Sequence, residues 1–267
     1  MTQARKLILL KLGGSAITIK EKPFTPDKRA ITRLAEEIKR ADVSPLILVH
    51  GGGSFGHPVA KRYRINEGYK DSSQIIGFSK THQAMTKLNR LVVDSLISHN
   101  IPAIAVPPSS CIITKSGRIE SFEERPLIKM LEMGFLPVLY GDAVLDWDVD
   151  FTILSGDQLV SSLAMSLNAE RIIIGADVDG LYTADPKTDS SARLIPHLTP
   201  TELKKLQQRV EESKVTDVTG GMLGKIKELI PAVEHRIGVI IVNATKPNNI
   251  YKALKGEEVV GTIIERA

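Results

Sequence analysis

The sequence predicts an α/β fold built on a layered, mainly parallel sheet, and two patterns carry this prediction. Short apolar runs, rich in Leu and β-branched residues, recur along the 267-residue chain. Such runs are typical of strands buried on both faces of a parallel sheet. Amphipathic helical patterns lie between them, and strands that alternate with helices form parallel sheets through right-handed crossovers.

The predicted strands are bounded by Gly, Pro or polar residues. In chain order they are Lys6–Leu12, Leu46–His50, Ile101–Val106, Phe135–Tyr140, Arg171–Gly175 and Val239–Val242. Two further stretches interrupt the alternation, because each has apolar residues on both sides of a turn signal. They predict hairpins attached to the sheet, at Ile112–Ile119 around Ser116-Gly117 and at Ala143–Ile153 around Asp146–Asp148.

Helices are predicted from apolar residues spaced i, i+3, i+4 and i+7. The first such set follows Thr25-Pro26, which predicts the N-cap and first turn of that helix. Gly134 predicts the end of a helix over Glu124–Met133, and a long helix runs from about Gln74 to Ser98. The two spaced sets are Ile31, Leu34, Ala35 and Ile38, and Ile226, Leu229, Ile230 and Val233.

Composition excludes several classes of protein. A single cysteine, Cys111, allows no intrachain disulfide and no cysteine zinc site, and the six histidines lack zinc-ligand spacing. The charge of +4 is mild and aromatic residues are only 4%, which argues against a nucleic-acid surface and equally suits small acidic substrates. The sequence shows no signal peptide, membrane span, repeat or flexible linker, so we expect a cytoplasmic protein with one domain over 1–267.

Glycines recur where a predicted strand meets a loop or helix. Glycine lets the backbone approach a ligand and leaves amide groups free, and a following helix N-terminus favours an anion. One such segment indicates only a turn. Four in one chain, two of them carrying lysine, predict phosphate binding; they are Lys11–Ser15, His50–His57, Ser155–Asp157 and Thr219–Lys225.

Two common phosphate motifs do not fit these loops. Gly51, Gly53 and Gly56 match the dinucleotide pattern, but no second strand ending in an acidic residue follows about 20 positions later. Thr219–Lys225 resembles a Walker loop, yet Thr219 stands at its first glycine and Ile226 at its magnesium-binding hydroxyl. The protein therefore handles phosphate by another scheme.

The four loops, together with Asp177–Pro186, resemble the amino acid kinase superfamily in its own order. Within it, His50–His57 and Lys20 resemble the isopentenyl phosphate kinase family. The resemblance implies a three-layer αβα sandwich that is usually a homodimer. It implies an N-terminal lobe, about 1–165, for the phosphate acceptor and a C-terminal lobe, about 166–267, for ATP. The implied reaction converts isopentenyl phosphate to isopentenyl diphosphate in the alternative mevalonate route, and ATP chemistry implies Mg²⁺.

The residues expected to act follow from that reaction. The acceptor is already an anionic phosphate oxygen, so catalysis needs cationic and dipolar clamping and no general base. Lys11 would bridge the transferring group and ATP, Lys20 would stabilise the transition state, and Lys225 would hold the β/γ-phosphates. Asp157 would orient the lysines, and His57 would donate to the acceptor phosphate.

Two binding sets complete these expectations. The ATP set is Lys11, Leu12, Gly13, Gly14, Ser15, Gly53, Asp177, Asp179, Tyr182, Gly221 and Lys225. The acceptor set is Gly52, His57 and Gly156 for the phosphate, with Phe78 and Met85, and Val144 or Ile153, facing the prenyl group.

Plainer interpretations stay open for each residue. The lysines could be solvated, Asp157 could be an N-cap, Asp179-Gly180 a turn, and the apolar residues ordinary core. Among related kinases, the turn at His57 argues against acetylglutamate and uridylate kinases, whereas fosfomycin-type kinases share it. A non-catalytic nucleotide-binding protein is the alternative of another class.

Overall fold

A central sheet of eight strands organises the computed structural model, which describes residues 6–186, 189–212 and 222–266. The strand order is β10-β12-β11-β9-β1-β2-β6-β3. All neighbours are parallel except β11 and β12. These strands are β1 (Ile8–Leu12), β2 (Leu46–His50), β3 (Ala103–Ala105), β6 (Leu136–Tyr140), β9 (Arg171–Ala176), β10 (His197–Leu198), β11 (Gly238–Asn243) and β12 (Gly261–Ile264).

Helices cover both faces of this sheet. Along β1, Leu9 packs into one core and Ile8 and Leu10 into the other, because successive side chains of a strand point to opposite faces. The three-layer αβα prediction is confirmed. The helices are α1 (Gly14–Ile17), α2 (Lys28–Ala41), α3 (Gly53–Arg62), α4 (Ser73–Ser98), α5 (Arg125–Glu132), α6 (Gly156–Ser166), α7 (Pro200–Glu212), α8 (Met222–Glu234) and α9 (Asn249–Lys255).

The two cores divide the helices between the layers. The first core receives Leu127 of α5, Leu159 of α6 and Leu229 of α8. The second receives Leu34 of α2, Phe55 of α3 and further residues of α4 and α9. Each fully buried Leu contributes about 1.5–3 kcal/mol to folding relative to an exposed one. None of the helices in the described ranges is long and apolar enough to cross a membrane.

The two predicted hairpins form, but the prediction that they attach to the main sheet is wrong. They make a separate four-stranded sheet of order β5-β4-β7-β8. Its strands are β4 (Ile112–Lys115), β5 (Arg118–Phe122), β7 (Asp142–Asp146) and β8 (Asp150–Leu154). A parallel pairing of β4 with β7, which no local sequence pattern signals, joins the two hairpins.

Asp146 fastens the turns of both hairpins. It is 4% exposed, and its carboxylate accepts hydrogen bonds from Thr114 Oγ1 at 2.7 Å and from the backbone of Gly117 and Asp148 at 2.7 and 2.9 Å. Burial acts to raise the pKa of Asp146, but these hydrogen bonds and one from Val149 lower it to about 2. The ionised carboxylate therefore holds this small sheet together.

The first long helix begins later than predicted. Its N-cap is Asp27, whose carboxylate accepts from the Ala30 N–H at 2.9 Å, so Thr25-Pro26 lies before the helix. Asp caps a helix better than Thr by presenting a charged acceptor to the free N–H groups. Gly134 does follow α5, in the left-handed conformation with φ of 84°, as predicted.

Candidate active site

Three neighbouring strands bring the first two glycine loops and the start of the Asp177–Pro186 segment to one edge of the sheet. In the parallel register Leu12 of β1 lies beside His50 of β2 and Gly175 of β9. The Gly13 N–H donates to the Gly175 carbonyl at 2.7 Å, and the Gly51 N–H donates to the Leu12 carbonyl at 2.9 Å. The loops that leave the strands are thus held in fixed positions.

The first two glycine loops touch at their backbones. A Cβ on Gly14 would stand 2.1 Å from the Gly53 nitrogen, and one on Gly53 would stand 2.2 Å from Thr18 Oγ1. Gly53 also has φ of +47°, which glycine adopts without strain. Thr18 joins the loops further, because its hydroxyl donates to the Gly14 carbonyl at 2.8 Å and accepts from the Ser54 N–H at 3.0 Å.

Lys11, Asp157 and Lys225 meet at this edge. The Lys11 Nζ lies 2.8 Å from Asp157 Oδ1, and the Lys225 Nζ lies 4.0 Å from Asp157 Oδ2. The Lys11 side chain is only 4% exposed, although burial of a charge is costly without a partner. Three residues far apart in sequence thus form one charge cluster with a net charge of +1, in which Lys11 is buried and Asp157 and Lys225 are 17% and 27% exposed.

Each charge in this cluster alters the others. Burial lowers the pKa of Lys11, as does the Lys225 charge, while Asp157 opposes both. Burial acts to raise the pKa of Asp157, but Lys11 and Lys225 outweigh it and the pKa is lowered. The carboxylate therefore stays ionised and favours the charged form of the buried lysine against the effect of burial.

Asp157 is not the N-cap of α6. Ser155 has that position, and its hydroxyl accepts from the Gln158 N–H at 3.1 Å. Asp157 lies in the first turn, where its charge favours the helix, and its carboxylate is directed to the lysines. Lys225 lies in the first turn of α8. The Gly221 prediction falls outside the described residues.

His57 lies on α3, five residues into the helix, with its side chain exposed. Partial burial in the cleft lowers its pKa, and the positive charges of Lys225 and Lys11 lower it further. The imidazole is therefore mostly neutral at pH 7 in the free protein, and it can donate one hydrogen bond through its N–H group. Both lysine charges act on this imidazole, which lies on the helix that begins at Gly53 of the second glycine loop.

Lys20 lies apart from that cluster. It is exposed, in the segment between α1 and α2, and forms no ion pair with any residue the structure describes. The segment itself is tied to the second glycine loop, since the Phe24 N–H donates to the Ser54 carbonyl at 3.0 Å and the Phe24 ring meets Phe55 edge-on. Lys20 is thereby held on the α3 side of the site.

The segment after β9 forms a polar network. Asp179 pairs with Lys246 at 2.7 Å, accepts from Asn243 Nδ2 at 3.1 Å and accepts from the Tyr182 hydroxyl at 3.4 Å. Burial acts to raise the pKa of Asp179, but these partners lower it. Asp177 is exposed at the end of β9 and contributes to the field at Lys11. Sequence reasoning missed Asn243 and Lys246; the available signal was that Asn243 directly follows a predicted strand and that Lys246 lies close behind it.

The residues expected at the prenyl group divide between two places. Met85 is buried against the glycine turn, with its Sδ 3.1 Å from the Cβ position of Gly52. Phe78 and Ile153 are partly buried around Phe151, in a small cluster of their own. Val144, in contrast, is fully buried in the first main core, so of the two β7–β8 alternatives Ile153 is the one beside Phe78.

Polar groups that sequence reasoning missed lie behind the second glycine loop. His50 is completely buried and hydrogen-bonds to Asn89. His82 pairs with the buried Asp142 at 2.9 Å, and this hydrogen bond raises the pKa of His82. His50 is the first residue of the His50–His57 segment, but its partner Asn89 and the residue His82 both lie on α4. Their positions become evident only once α4 is packed against the sheet.

Among the described residues, no group of three or more His, Cys, Asp or Glu side chains is placed to bind a metal ion. Asp157 is already paired with two lysines. Mg²⁺ usually binds through phosphates and one or two carboxylates. The residues present thus fit a magnesium ion carried by the phosphates of a nucleotide.

Comparisons with known proteins agree with this geometry. The model described as the amino acid kinase family matches residues 6–243. The isopentenyl phosphate kinase of Methanothermobacter thermautotrophicus is 43% identical over 97% of this chain and 98% of its own length. That of Methanocaldococcus jannaschii is 36% identical over 97% and 98%.

A solved structure described as isopentenyl phosphate kinase has the same fold. It superposes with a TM-score of 0.86 at 40% identity and covers 97% of this chain and 99% of that one. Sequence and structure therefore agree over nearly the whole length. The chain belongs to the amino acid kinase family and, within it, to the isopentenyl phosphate kinases.

Proposed function

We propose that this protein transfers the γ-phosphoryl group of ATP to isopentenyl phosphate and so forms isopentenyl diphosphate for isoprenoid biosynthesis. The observation that carries the proposal is the Lys11–Asp157–Lys225 cluster at the meeting point of the glycine loops. A cluster with one excess positive charge suits a reaction between two polyanions. The names of the relatives supply the acceptor.

The step is an in-line substitution at phosphorus. An oxygen of the acceptor phosphate forms a bond to the γ-phosphorus, the bond to the bridging oxygen breaks, and ADP leaves with that electron pair. No proton must be removed, so no general base is needed. Lys11 bridges the transferring group and ATP, and Lys225 holds the β/γ-phosphates. Lys20 stabilises the transition state from the α1–α2 segment. Asp157 acts through the two lysines as a positioning residue.

The acceptor binds on the α3–α4 side of the cleft. The His57 imidazole and the amides of Gly52 and Gly156 donate to its phosphate. Phe78 and Ile153 would contact the prenyl chain from their cluster around Phe151, and Met85 would bound the acceptor site from behind the Gly52 turn. Residues 1–165 would thus form the acceptor lobe.

The nucleotide binds at the same edge of the sheet as the acceptor, on the side of the lobe formed by residues 166–267. The backbone of Lys11–Ser15 and Gly53 would face its phosphates, and Gly221, which precedes α8 in the sequence, would also contribute. Asp177, Asp179 and Tyr182 would shape the nucleotide site. Mg²⁺, held by the phosphates of ATP, would neutralise charge on the β- and γ-oxygens. We propose a cytoplasmic homodimer, as the family resemblance implies.

An acceptor panel tests the proposal. Purified protein is mixed with Mg-ATP and, separately, isopentenyl phosphate, dimethylallyl phosphate, fosfomycin, acetylglutamate or UMP, and ADP release is followed in a coupled assay. Lys11→Met serves as the inactive control for contaminating kinases. We expect the largest kcat/KM with isopentenyl phosphate. Preference for fosfomycin would identify the phosphonate kinase alternative, and no turnover with any acceptor would favour a nucleotide-binding protein; either result overturns the proposal.

A further inference from the structure

The imidazole of His50 is completely buried where β2 ends and the second glycine loop begins. Its Nδ1 lies 3.1 Å from the Gly51 carbonyl oxygen, and its Nε2 lies 3.1 Å from Asn89 Nδ2 on α4. The ring stacks on Tyr140, with centroids 5.5 Å apart and planes inclined by 23°. Both nitrogens and one face of the ring are thus in fixed contact.

These partners select one tautomer. The Gly51 carbonyl only accepts, so Nδ1 carries the proton; the Asn89 amide nitrogen only donates, so Nε2 accepts. Burial lowers the pKa of His50 to about 4, and the ring is neutral at pH 7. A neutral imidazole with one donor and one acceptor matches the two groups that it meets.

The hydrogen bond to Gly51 fixes the next amide as well. The Gly51 carbonyl and the Gly52 N–H belong to one planar peptide unit, in which they point in opposite directions. An imidazole that holds the oxygen therefore directs the Gly52 N–H away from itself. Accepting a hydrogen bond at the oxygen also polarises the N–H and makes it a stronger donor.

Neither Gly51 nor Gly52 has a side chain that could fix the orientation of this peptide. A glycine peptide rotates more freely than any other, and a Cβ on Gly52 would stand only 3.1 Å from Met85 Sδ. A side chain is therefore disfavoured at the position whose amide needs orienting. The buried imidazole bonds to the Gly51 carbonyl, on one side of the peptide. The Gly52 N–H, on the other side, stays available to a ligand.

His50 also contacts the third glycine loop through its backbone. Its carbonyl accepts from the Gly141 N–H at 3.0 Å, and the Cβ position of Gly156 lies 3.4 Å from the same oxygen. The two amides assigned to the acceptor phosphate, those of Gly52 and Gly156, therefore flank this one residue.

We propose that His50 is a positioning residue that orients the Gly51–Gly52 peptide so that the Gly52 N–H donates to the phosphate of the acceptor. Asn89 assists it by holding the tautomer. The inference rests on the proposed function, since it concerns the acceptor site of that reaction.

The test compares substitutions that preserve shape. His50→Phe keeps a ring to stack on Tyr140 but deletes the donor to Gly51. Asn89→Leu keeps the volume but deletes the donor to Nε2, so the Gly51 carbonyl alone favours the Nδ1–H tautomer and the ring is held by one hydrogen bond fewer. His99→Phe is the matched control, because His99 lies at the end of α4, bonds to the Ser95 carbonyl and contacts neither loop. KM and kcat are measured for isopentenyl phosphate and for ATP, with melting temperatures for each variant.

We expect His50→Phe to raise the acceptor KM about tenfold, the value of one hydrogen bond, with the ATP KM changed less than about twofold. Asn89→Leu raises the acceptor KM about threefold, and His99→Phe changes neither constant. Equal effects on both KM values, or none on the acceptor, would contradict the inference. If His50→Phe does not fold, Asn89→Leu decides: an unchanged acceptor KM overturns it. A wild-type enzyme inactive on isopentenyl phosphate would instead refute the proposed function.

Discussion

At the residue scale, the candidate site pairs a buried lysine with one carboxylate that favours its charged form. The Lys11 side chain is almost fully buried and only Asp157 lies close enough to pair with it among the described residues. Removing one partner of a buried ion pair is costly because the other charge remains without compensation. Lys11 must stay charged to stabilise a phosphoryl group. Its activity is therefore coupled to Asp157.

Asp157→Asn tests this coupling. The substitution leaves Lys11 and Lys225 together without a counter-charge, which favours loss of a proton from Lys11. We expect kcat to fall about a hundredfold and the free energy of unfolding to fall by about 3 kcal/mol. Steady-state kinetics and urea unfolding measure the two effects. Asp94→Asn, on the exposed face of α4, is the control and should change neither; retained kcat in Asp157→Asn would refute the role.

His57→Gln separates the two substrates. His57 lies on α3 beside the acceptor loop, and its lowered pKa leaves it as a neutral N–H donor at pH 7. Gln keeps a polar side chain but not the donor in the same place, so the KM for the acceptor should rise about tenfold, as for the loss of one hydrogen bond to a charged group. The ATP KM should stay nearly constant. If both constants remain at wild-type values, His57 does not bind the acceptor.

At the element scale, the sheet edge that carries the site is built from short loops in backbone contact. Gly14 and Gly53 touch so closely that only glycine fits at either position. The adjoining four-stranded sheet, in contrast, depends on a side chain, Asp146, whose oxygens satisfy the amides of two turns. Close backbone contact therefore fixes the geometry of the glycine loops, whereas the single charge of Asp146 fixes the turns of the four-stranded sheet.

Gly14→Ala tests the loop contact. Its methyl group would stand 2.1 Å from the Gly53 nitrogen, so the two loops must separate, and we expect a large loss of both stability and activity. Gly134→Ala is the control: its φ is positive but no atom lies within 4 Å of the new Cβ. It should cost about 1 kcal/mol and leave kcat unchanged. Normal kinetics in Gly14→Ala would show that the contact is not required.

Asp146→Asn tests the charge in the small sheet. The pKa of Asp146 is lowered to about 2 in the folded protein, so its contribution to stability is complete above the unfolded value of about 4 and disappears as pH falls toward 2. The wild type should be more stable than Asp146→Asn by about 2 kcal/mol at pH 7. Urea unfolding should show this difference shrinking between pH 4 and pH 2. A difference independent of pH would refute the assignment.

Local pattern predicted the central elements well and failed where pairing is non-local. The predicted strand Leu46–His50 matches β2 at both ends, because an apolar run between polar residues has few alternatives. Strands β10 and β12 were missed, since β10 has only two residues and β12 is set by pairing with β11. Thr25-Pro26 matches the common pattern of a cap followed by proline, yet Asp27, two residues after Thr25, is the residue that caps the helix.

At the scale of the whole molecule, the fold assembles one site from distant parts of the chain. Lys11, Asp157 and Lys225 lie on β1, α6 and α8, and parallel strands bring their connecting loops to one edge. Motif chemistry located these three residues from the sequence. His50, Asn89 and Lys246 were missed because their roles arise from contacts between elements. The mild positive charge noted in the sequence is partly concentrated in this cleft.

The most direct test of the central claim is product analysis by ³¹P NMR. The wild-type protein, Lys11→Met and the surface control Lys252→Met are each incubated with Mg-ATP and isopentenyl phosphate. We expect the wild type and Lys252→Met to convert the monophosphate signal into the two coupled signals of a diphosphate, with equal formation of ADP. Lys11→Met should leave the monophosphate signal unchanged. A persistent monophosphate signal with the wild-type protein, or equal conversion by Lys11→Met, would contradict it.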